Sequence, residues 1–147
     1  MTLKIIFGLL ASACLAWMSP MKNSTLTLDI HNIEQAKGYV WIGIYESQNN
    51  FLEKGSAVVL EGAKIEQTGE LSIEIEDLPY GTYAVAMFHD VNGNGTLDQG
   101  IFGIPKEPYA FSQPLKSKWR APLFDDVKFD VKTSNTTIKL ELEEWTW

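Results

Sequence analysis

The chain has 147 residues, of which 45% are hydrophobic and 21% charged, and its net charge is -7. This composition is that of a globular protein and excludes a disordered or fibrous one. The acidic balance argues against nucleic-acid binding, because the chain as a whole has no excess of basic residues with which to neutralise phosphates.

Residues 1–16 are predicted to be an export signal. Lys4 precedes an apolar run over residues 5–17, which is too short to cross a bilayer. Ala11, Ser12 and Ala13 before Cys14 match a permissive lipobox, in which Cys14 would carry a lipid; ordinary cleavage after a small residue is the alternative. We therefore expect a periplasmic or extracellular protein, or an outer-membrane lipoprotein attached to the membrane only through a lipid on Cys14. Since Cys14 is the only cysteine, no disulfide stabilises the rest of the chain.

Apolar and polar residues alternate through most of the chain beyond the leader. This period of two is typical of half-buried strands with one face toward the core and one toward water. The predicted strands lie at 26–31, 40–45, 71–76, 82–89, 127–132 and 138–143, with a weaker candidate at 57–65. About seven strands and no helical pattern predict an all-β protein, a single antiparallel Greek-key sandwich over residues 24–143, followed by a tail at 144–147.

A short motif at residues 78–83, which leads into the predicted strand at 82–89, predicts a tyrosine corner. Leu78 and Pro79 are followed by Tyr80, Gly81, Thr82 and Tyr83. In Greek-key sandwiches a tyrosine that enters a strand after such a turn donates its hydroxyl back to the backbone near the turn.

Residues 90–98 form the pattern most suggestive of chemistry. Oxygen-bearing side chains occupy alternate positions, Gly95 follows the third of them, and Leu97 stands at the eighth position. This spacing is typical of a calcium loop. The bidentate glutamate of an EF-hand is missing, because Ile101 stands at position 12, and strands rather than helices flank the loop. The candidate Ca²⁺ ligands are Asp90, Asn92, Asn94, Thr96 through its carbonyl, Asp98 and, as the borrowed carboxylate, Glu107.

Other interpretations of this region stay open at the level of sequence. Asn-Gly pairs make tight turns without any ion. A catalytic or metal-dependent acid/base site built from His89, Asp90 and Glu107 is an alternative, although no nucleophile motif accompanies it.

Residues 90–122 lack a strand period and predict one long Gly/Pro-rich loop. It carries Phe102, Ile104, Tyr109 and Phe111, which with Trp119, Trp145 and Trp147 form either core or a ligand surface. A carbohydrate- or peptide-binding module that uses these aromatic residues is therefore a further hypothesis.

The central region also resembles a known family. Residues 81–98, together with Phe-Gly-Ile-Pro-Lys-Glu at 102–107 and Tyr-Ala-Phe-Ser at 109–112, are similar to the exported bacterial family called domain of unknown function 2141. The resemblance extends over about residues 24–143. It implies an exported sandwich similar to transthyretin-like or immunoglobulin-like modules and implies no particular activity.

From these observations we expect a non-enzymatic binding or structural module of the cell envelope with a candidate calcium loop. The identity of its envelope ligand or protein partner and its oligomeric state do not follow from the sequence.

Overall fold

Eight strands contain about half of the residues in the computed structural model, which describes residues 22–117 and 119–146. The predicted export signal at 1–16, with Cys14, and Trp147 lie outside the described residues. A short helix, α1 (Phe124–Val127), and two 3-10 turns at Lys54–Ser56 and Ile101–Gly103 complete the secondary structure. The strands are β1 (Asn23–Ile33), β2 (Tyr39–Tyr45), β3 (Val59–Lys64), β4 (Gly69–Pro79), β5 (Gly81–Asp90), β6 (Tyr109–Phe111), β7 (Phe129–Val131) and β8 (Asn135–Glu141).

The strands form two sheets, which confirms the predicted all-β sandwich. The smaller sheet has the order β4-β1-β8, and the larger has the order β3-β2-β5-β6, with β7 pairing with β5 outside that path. Apolar side chains from both sheets form one core, because every second residue of each strand points inward. Its fully buried members include Leu28, Ile42, Val85 and Leu140. None of the described helices has the length and apolar character needed to cross a membrane.

Three local features differ from the sequence prediction. The strands β1 and β8 pair in parallel, whereas the other pairs are antiparallel. The predicted long loop contains β6, which adds to β5 through Ala86, Met87 and Phe88. Val127 begins no strand but ends α1. β6 and α1 have three and four residues, and neither produced a periodic signal of its own in the sequence.

The tyrosine corner is confirmed. The Tyr83 hydroxyl donates a hydrogen bond of 2.9 Å to the carbonyl oxygen of Pro79. The ring of Tyr83 is buried in the main core, so this bond fixes the turn between β4 and β5 against the sandwich. It thereby sets the position at which β5 starts, and β5 ends at Asp90.

Candidate functional site

Asp90 is the last residue of β5 and is fully buried. Its Oδ1 accepts hydrogen bonds from the backbone N–H groups of Gly93 at 2.7 Å and Asn94 at 3.0 Å. Its Oδ2 accepts one from the N–H of Gly95 at 2.7 Å and one from the indole Nε1 of Trp41 at 3.1 Å. One carboxylate therefore shapes the following turn and also fixes a side chain of the neighbouring strand β2.

Two opposing effects act on the pKa of Asp90. Burial by itself raises the pKa, since it disfavours the charged form. The hydrogen bonds from Gly95, Trp41, Asn94 and Gly93 favour the carboxylate and prevail, so the pKa of Asp90 lies below its ordinary value. Asp90 is consequently an anion at neutral pH although no solvent reaches it.

Glu107 closes the same loop from its other end. It is 6% exposed. Its Oε1 accepts a hydrogen bond from the N–H of Val91, and its Oε2 accepts one from the N–H of Asp98, both at 3.0 Å. The carboxylate thus joins the first and last parts of the loop across a sequence distance that local turn chemistry could not span.

The remaining predicted ligands converge on Asp98. The amide Nδ2 of Asn92 lies 2.6 Å from Asp98 Oδ2, and the Nδ2 of Asn94 lies 3.0 Å from Asp98 Oδ1. Thr96 is drawn into the group because its N–H and hydroxyl both donate to Asn94 Oδ1. Within the described residues no group of three or more His, Cys, Asp or Glu side chains is arranged to hold a metal.

His89 belongs to a different environment. It is 1% exposed, and its Nε2 lies 2.7 Å from the carbonyl oxygen of Lys37. Successive residues of a strand point to opposite faces, so His89 and Asp90 diverge. The carboxylates of Asp90 and Glu107 are bonded to the loop rather than to the imidazole. The structure does not bring these three residues together as an acid/base group.

The outer face of the larger sheet is apolar, contrary to the expectation that one face of each strand meets water. On β2 this face presents Trp41, Gly43 and Tyr45. A Cβ atom at Gly62 would lie 2.6 to 3.1 Å from three ring atoms of Trp41, so the indole lies flat over that glycine. Tyr45 covers Gly43 in the same way, at 2.8 to 3.0 Å. The glycines therefore allow large rings to lie flat against the sheet.

A groove of about 950 Å³ runs over this face. This volume is at the upper end of the range of roughly 300–1,000 Å³ that is usual for small-molecule sites. One wall is the far side of the Asp90 loop and its continuation, with lining residues between 95 and 105, and Leu115, Trp119 and Trp145 are also part of the lining. Trp119 and Trp145 contact each other edge to face with centroids 6.4 Å apart.

The floor of the groove includes the small side chain of Ala86, which is paired in register with Gly43 on β2 and with Phe111 on β6. Because Asp90 holds both the loop and the Trp41 indole, it connects the wall of the groove to its floor.

Sequence reasoning found part of this groove and missed the rest. Phe102, Ile104, Tyr109, Phe111, Trp119 and Trp145, singled out as core or surface aromatics, all line the groove. Trp41, Tyr45 and Ala86 were missed. Their signal was present, since β2 carries large rings on the face that alternation assigned to water. Only the pairing of β2 with β5 brings that face beside the loop.

An all-β sandwich with a loop-walled groove describes the class of protein. The model of the family described as "Uncharacterized protein conserved in bacteria (DUF2141)" matches residues 28–139. The chain belongs to this family, as its resemblance in sequence indicated. No curated protein and no solved structure matched the chain.

Proposed function

We propose that this protein is a non-enzymatic, exported binding module of the bacterial cell envelope and that the groove is its ligand site. The observation that carries the proposal is the groove itself: a concave, aromatic-lined cavity of about 950 Å³ on a sheet face that alternation assigns to solvent. A concave, mostly apolar cavity with few polar side chains is the usual form of a small-molecule site. Export rests on the leader predicted at residues 1–16.

The hydrogen bonds of the ionisable side chains favour a binding function over catalysis. A general base needs a lone pair directed at a substrate. The carboxylates of Asp90 and Glu107 instead accept hydrogen bonds from the loop, and the imidazole of His89 is buried against the carbonyl of Lys37. An acid/base enzyme centred on these residues is therefore the weaker alternative.

The lining of the groove favours an apolar ligand over a carbohydrate. Carbohydrate recognition combines aromatic platforms with many hydrogen-bonding side chains, whereas the polar side chains here are few, among them Thr96, Gln99 and Arg120. The guanidinium of Arg120 already forms two hydrogen bonds with the carboxylate of Asp126, at 2.7 and 3.1 Å.

Binding of Nile red, a neutral apolar dye, to the purified protein tests the ligand site. We expect saturable binding with a blue shift in dye emission. Ala86→Trp should lower the affinity at least tenfold, because the larger side chain fills the floor of the groove. Leu60→Glu should do the same by placing a charge in the lining, and it alters a position that is 45% exposed and so not needed for folding.

Thr137→Trp is the matched control for these variants, since it adds the same side chain to an exposed position on β8 in the smaller sheet. It should bind the dye as wild type does. Dye binding that is absent in wild type, or equal in all four proteins, would reject the groove as the ligand site.

A second proposal concerns Ca²⁺ at the Asp90 loop. The spacing of the oxygen-bearing side chains over residues 90–98 supports it, and the side chains of Asn92 and Asn94 both lie within hydrogen-bond distance of the Asp98 carboxylate. Asp90, the Thr96 carbonyl and Glu107 are the other proposed ligands, and the two carboxylates would exchange hydrogen bonds from loop N–H groups for the ion. With so few carboxylates, a Kd of about 10⁻⁴ to 10⁻³ M is expected, which suits an extracellular module.

Thermal unfolding of metal-free protein with increasing Ca²⁺ tests this second proposal. For a Kd of about 10⁻⁴ M, about 10 mM Ca²⁺ should add roughly 2.7 kcal/mol to the free energy of unfolding. Asp98→Asn should abolish the increase, and Mg²⁺ should produce a smaller one because it demands stricter octahedral geometry. An unchanged melting temperature of wild type at that concentration would rule the ion out.

A further inference from the structure

We propose that the groove-bearing face docks on an anionic lipid surface and that the groove accepts one acyl chain from it; this rests on the groove being the ligand site. Four features of this face support the proposal: exposed apolar side chains, a hairpin with a strained residue at its tip, neighbouring basic side chains and a cavity with a mostly apolar lining.

The first feature is the exposure of large apolar side chains at the mouth of the groove. Ile101, Phe102 and Trp119 are 78%, 95% and 84% exposed, which makes them the most exposed large hydrophobic residues of the described ranges. Phe102 and Trp119 both line the groove. Tryptophan and phenylalanine at such positions are typical of residues that enter the interfacial layer of a bilayer.

The second feature is the backbone that presents two of these side chains. Residues 98–106 form a short hairpin, closed by hydrogen bonds from the N–H of Lys106 to the carbonyl of Asp98 and from the N–H of Gly100 to the carbonyl of Ile104. At its tip Phe102 has φ 64° and ψ 20°. A bulky residue rarely adopts this left-handed conformation, and such strain is found mainly at functional positions. The hairpin therefore holds Phe102 outward against a local backbone preference.

The third feature is positive charge near these exposed apolar side chains, in a protein that is acidic as a whole. Lys116 lies three residues before Trp119 in the sequence, and the side chain of Lys106 lies against Gly100 at the base of the hairpin. Within the described residues neither lysine forms an ion pair, whereas Arg120 is paired with Asp126. The chain has a net charge of -7, so this clustering of basic residues is local. Basic residues next to interfacial aromatics attract anionic headgroups over about one Debye length. Charge complementarity thus selects an anionic lipid rather than a neutral one.

The fourth feature is the match between the cavity and a lipid chain. Arg120 is the only Asp, Glu, Lys or Arg side chain among the described lining residues of the groove, and it is paired with Asp126. An acyl chain would remove the apolar lining from water, while its phosphate would stay at the rim near Lys106 and Lys116. This arrangement orients the lipid with the chain inward and the headgroup at the mouth.

Co-sedimentation with large vesicles tests docking. Wild-type protein should bind vesicles that contain phosphatidylglycerol and bind pure phosphatidylcholine vesicles at least tenfold more weakly. Phe102→Ser and Trp119→Ser should each reduce binding about tenfold, because each removes a large apolar side chain that would enter the bilayer interface. Both positions are so exposed that folding should be unaffected, which circular dichroism verifies.

Two charge-reversal variants test how much the basic side chains contribute to vesicle binding. Lys116→Glu should weaken binding to phosphatidylglycerol vesicles about tenfold or more, since it reverses one charge at the surface. Lys132→Glu makes the same charge change in the turn between β7 and β8 and should leave binding within twofold. Equal binding of wild type to both vesicle types, or equal loss in these two variants, would overturn the proposal.

The acyl-chain step is tested separately with monomeric short-chain phosphatidylglycerol. It should displace Nile red from wild type, and Ala86→Trp should lower its affinity at least tenfold. If Nile red binds in the groove but neither the monomeric lipid nor the vesicles bind, the ligand site stands and the lipid proposal falls. If Nile red does not bind at all, both fall.

Discussion

Asp90 combines roles that a sequence pattern cannot separate. Its position at the start of an alternating run of oxygen-bearing side chains predicted a calcium ligand, and that prediction remains open to the metal titration. The structure adds a role that needs no ion, since the carboxylate accepts hydrogen bonds from three backbone N–H groups and from Trp41. At this scale the loop is organised by a buried anion whose partners come both from the next five residues and from another strand.

Asp90→Asn should lower the free energy of unfolding by about 3 kcal/mol, because hydrogen bonds to a charged acceptor are weakened and the two donors that face the new NH2 group lose this acceptor. Urea denaturation in metal-free buffer measures this change. Asp125→Asn, at an exposed carboxylate on α1, is the control and should change stability by less than about 0.5 kcal/mol. A loss of less than about 1 kcal/mol for Asp90→Asn would contradict the role of this carboxylate as the organiser of the loop.

The lowered pKa of Asp90 also predicts a dependence on pH. Because its folded-state pKa lies below the ordinary value of about 3.9, the stability that its ionisation provides is fully present above that value and is lost as pH falls toward the folded pKa. The difference in unfolding free energy between wild type and Asp90→Asn should therefore be constant above about pH 5 and shrink below about pH 4. Denaturation curves between these limits measure it, and a difference that grows on acidification would contradict the assignment.

At the scale of elements, Ser112 shows how a strand too short to predict is kept in place. The N–H of Ser112 donates a hydrogen bond of 3.0 Å to the carbonyl of Val85, as a residue of β6 would do in pairing with β5. The N–H of Val85 donates to the side-chain oxygen of Ser112, Oγ, at 2.9 Å. The same hydroxyl donates to the carbonyl of Val127 at the end of α1. One buried hydroxyl thus ends β6 and connects β5 to α1.

Ser112→Ala should destabilise the protein by about 1–3 kcal/mol, since it leaves a buried N–H and a buried carbonyl without their partner. Thermal or urea unfolding gives the value. Ser134→Ala, at an exposed position before β8, should have no measurable effect. If the two variants were equally stable, the hydroxyl of Ser112 would not be what holds these elements together.

At the scale of the whole molecule, the sandwich is closed by strands from opposite ends of the chain. β1 and β8 pair in parallel from Thr25 and Asn135 to His31 and Glu141. Parallel neighbours cannot be joined by a hairpin, so this pairing forms only when distant parts of the chain meet. The core between the sheets therefore depends on both ends of the domain.

Leu140→Ala should cost about 2–5 kcal/mol, because Leu140 is fully buried at the end of β8 and its truncation leaves a cavity. Urea unfolding should remain a single transition, since one core unites both sheets. Ile101→Ala removes a similar side chain at a position that is 78% exposed and should cost less than about 0.5 kcal/mol. Equal effects of the two changes would indicate that β8 is not an essential part of the core.

The sequence by itself determined the features that arise from neighbouring residues. Alternation predicted all of the longer strands, the motif at residues 78–83 predicted the tyrosine corner, and the spacing of residues 90–98 located the loop. These succeeded because strand burial has a period of two and turns depend on a few adjacent side chains.

Tertiary structure alone decided the features that join distant residues. It paired β1 with β8, placed Glu107 under the loop, turned His89 away from Asp90, and brought Trp41, Ala86 and Trp119 around one groove. Each requires a contact between residues far apart in the chain, whose identity depends on which strands become neighbours and in which register. Local alternation assigns each residue to one of the two faces of its strand. Only the packing of the sheets decides whether the outer face contacts water or lines a cavity.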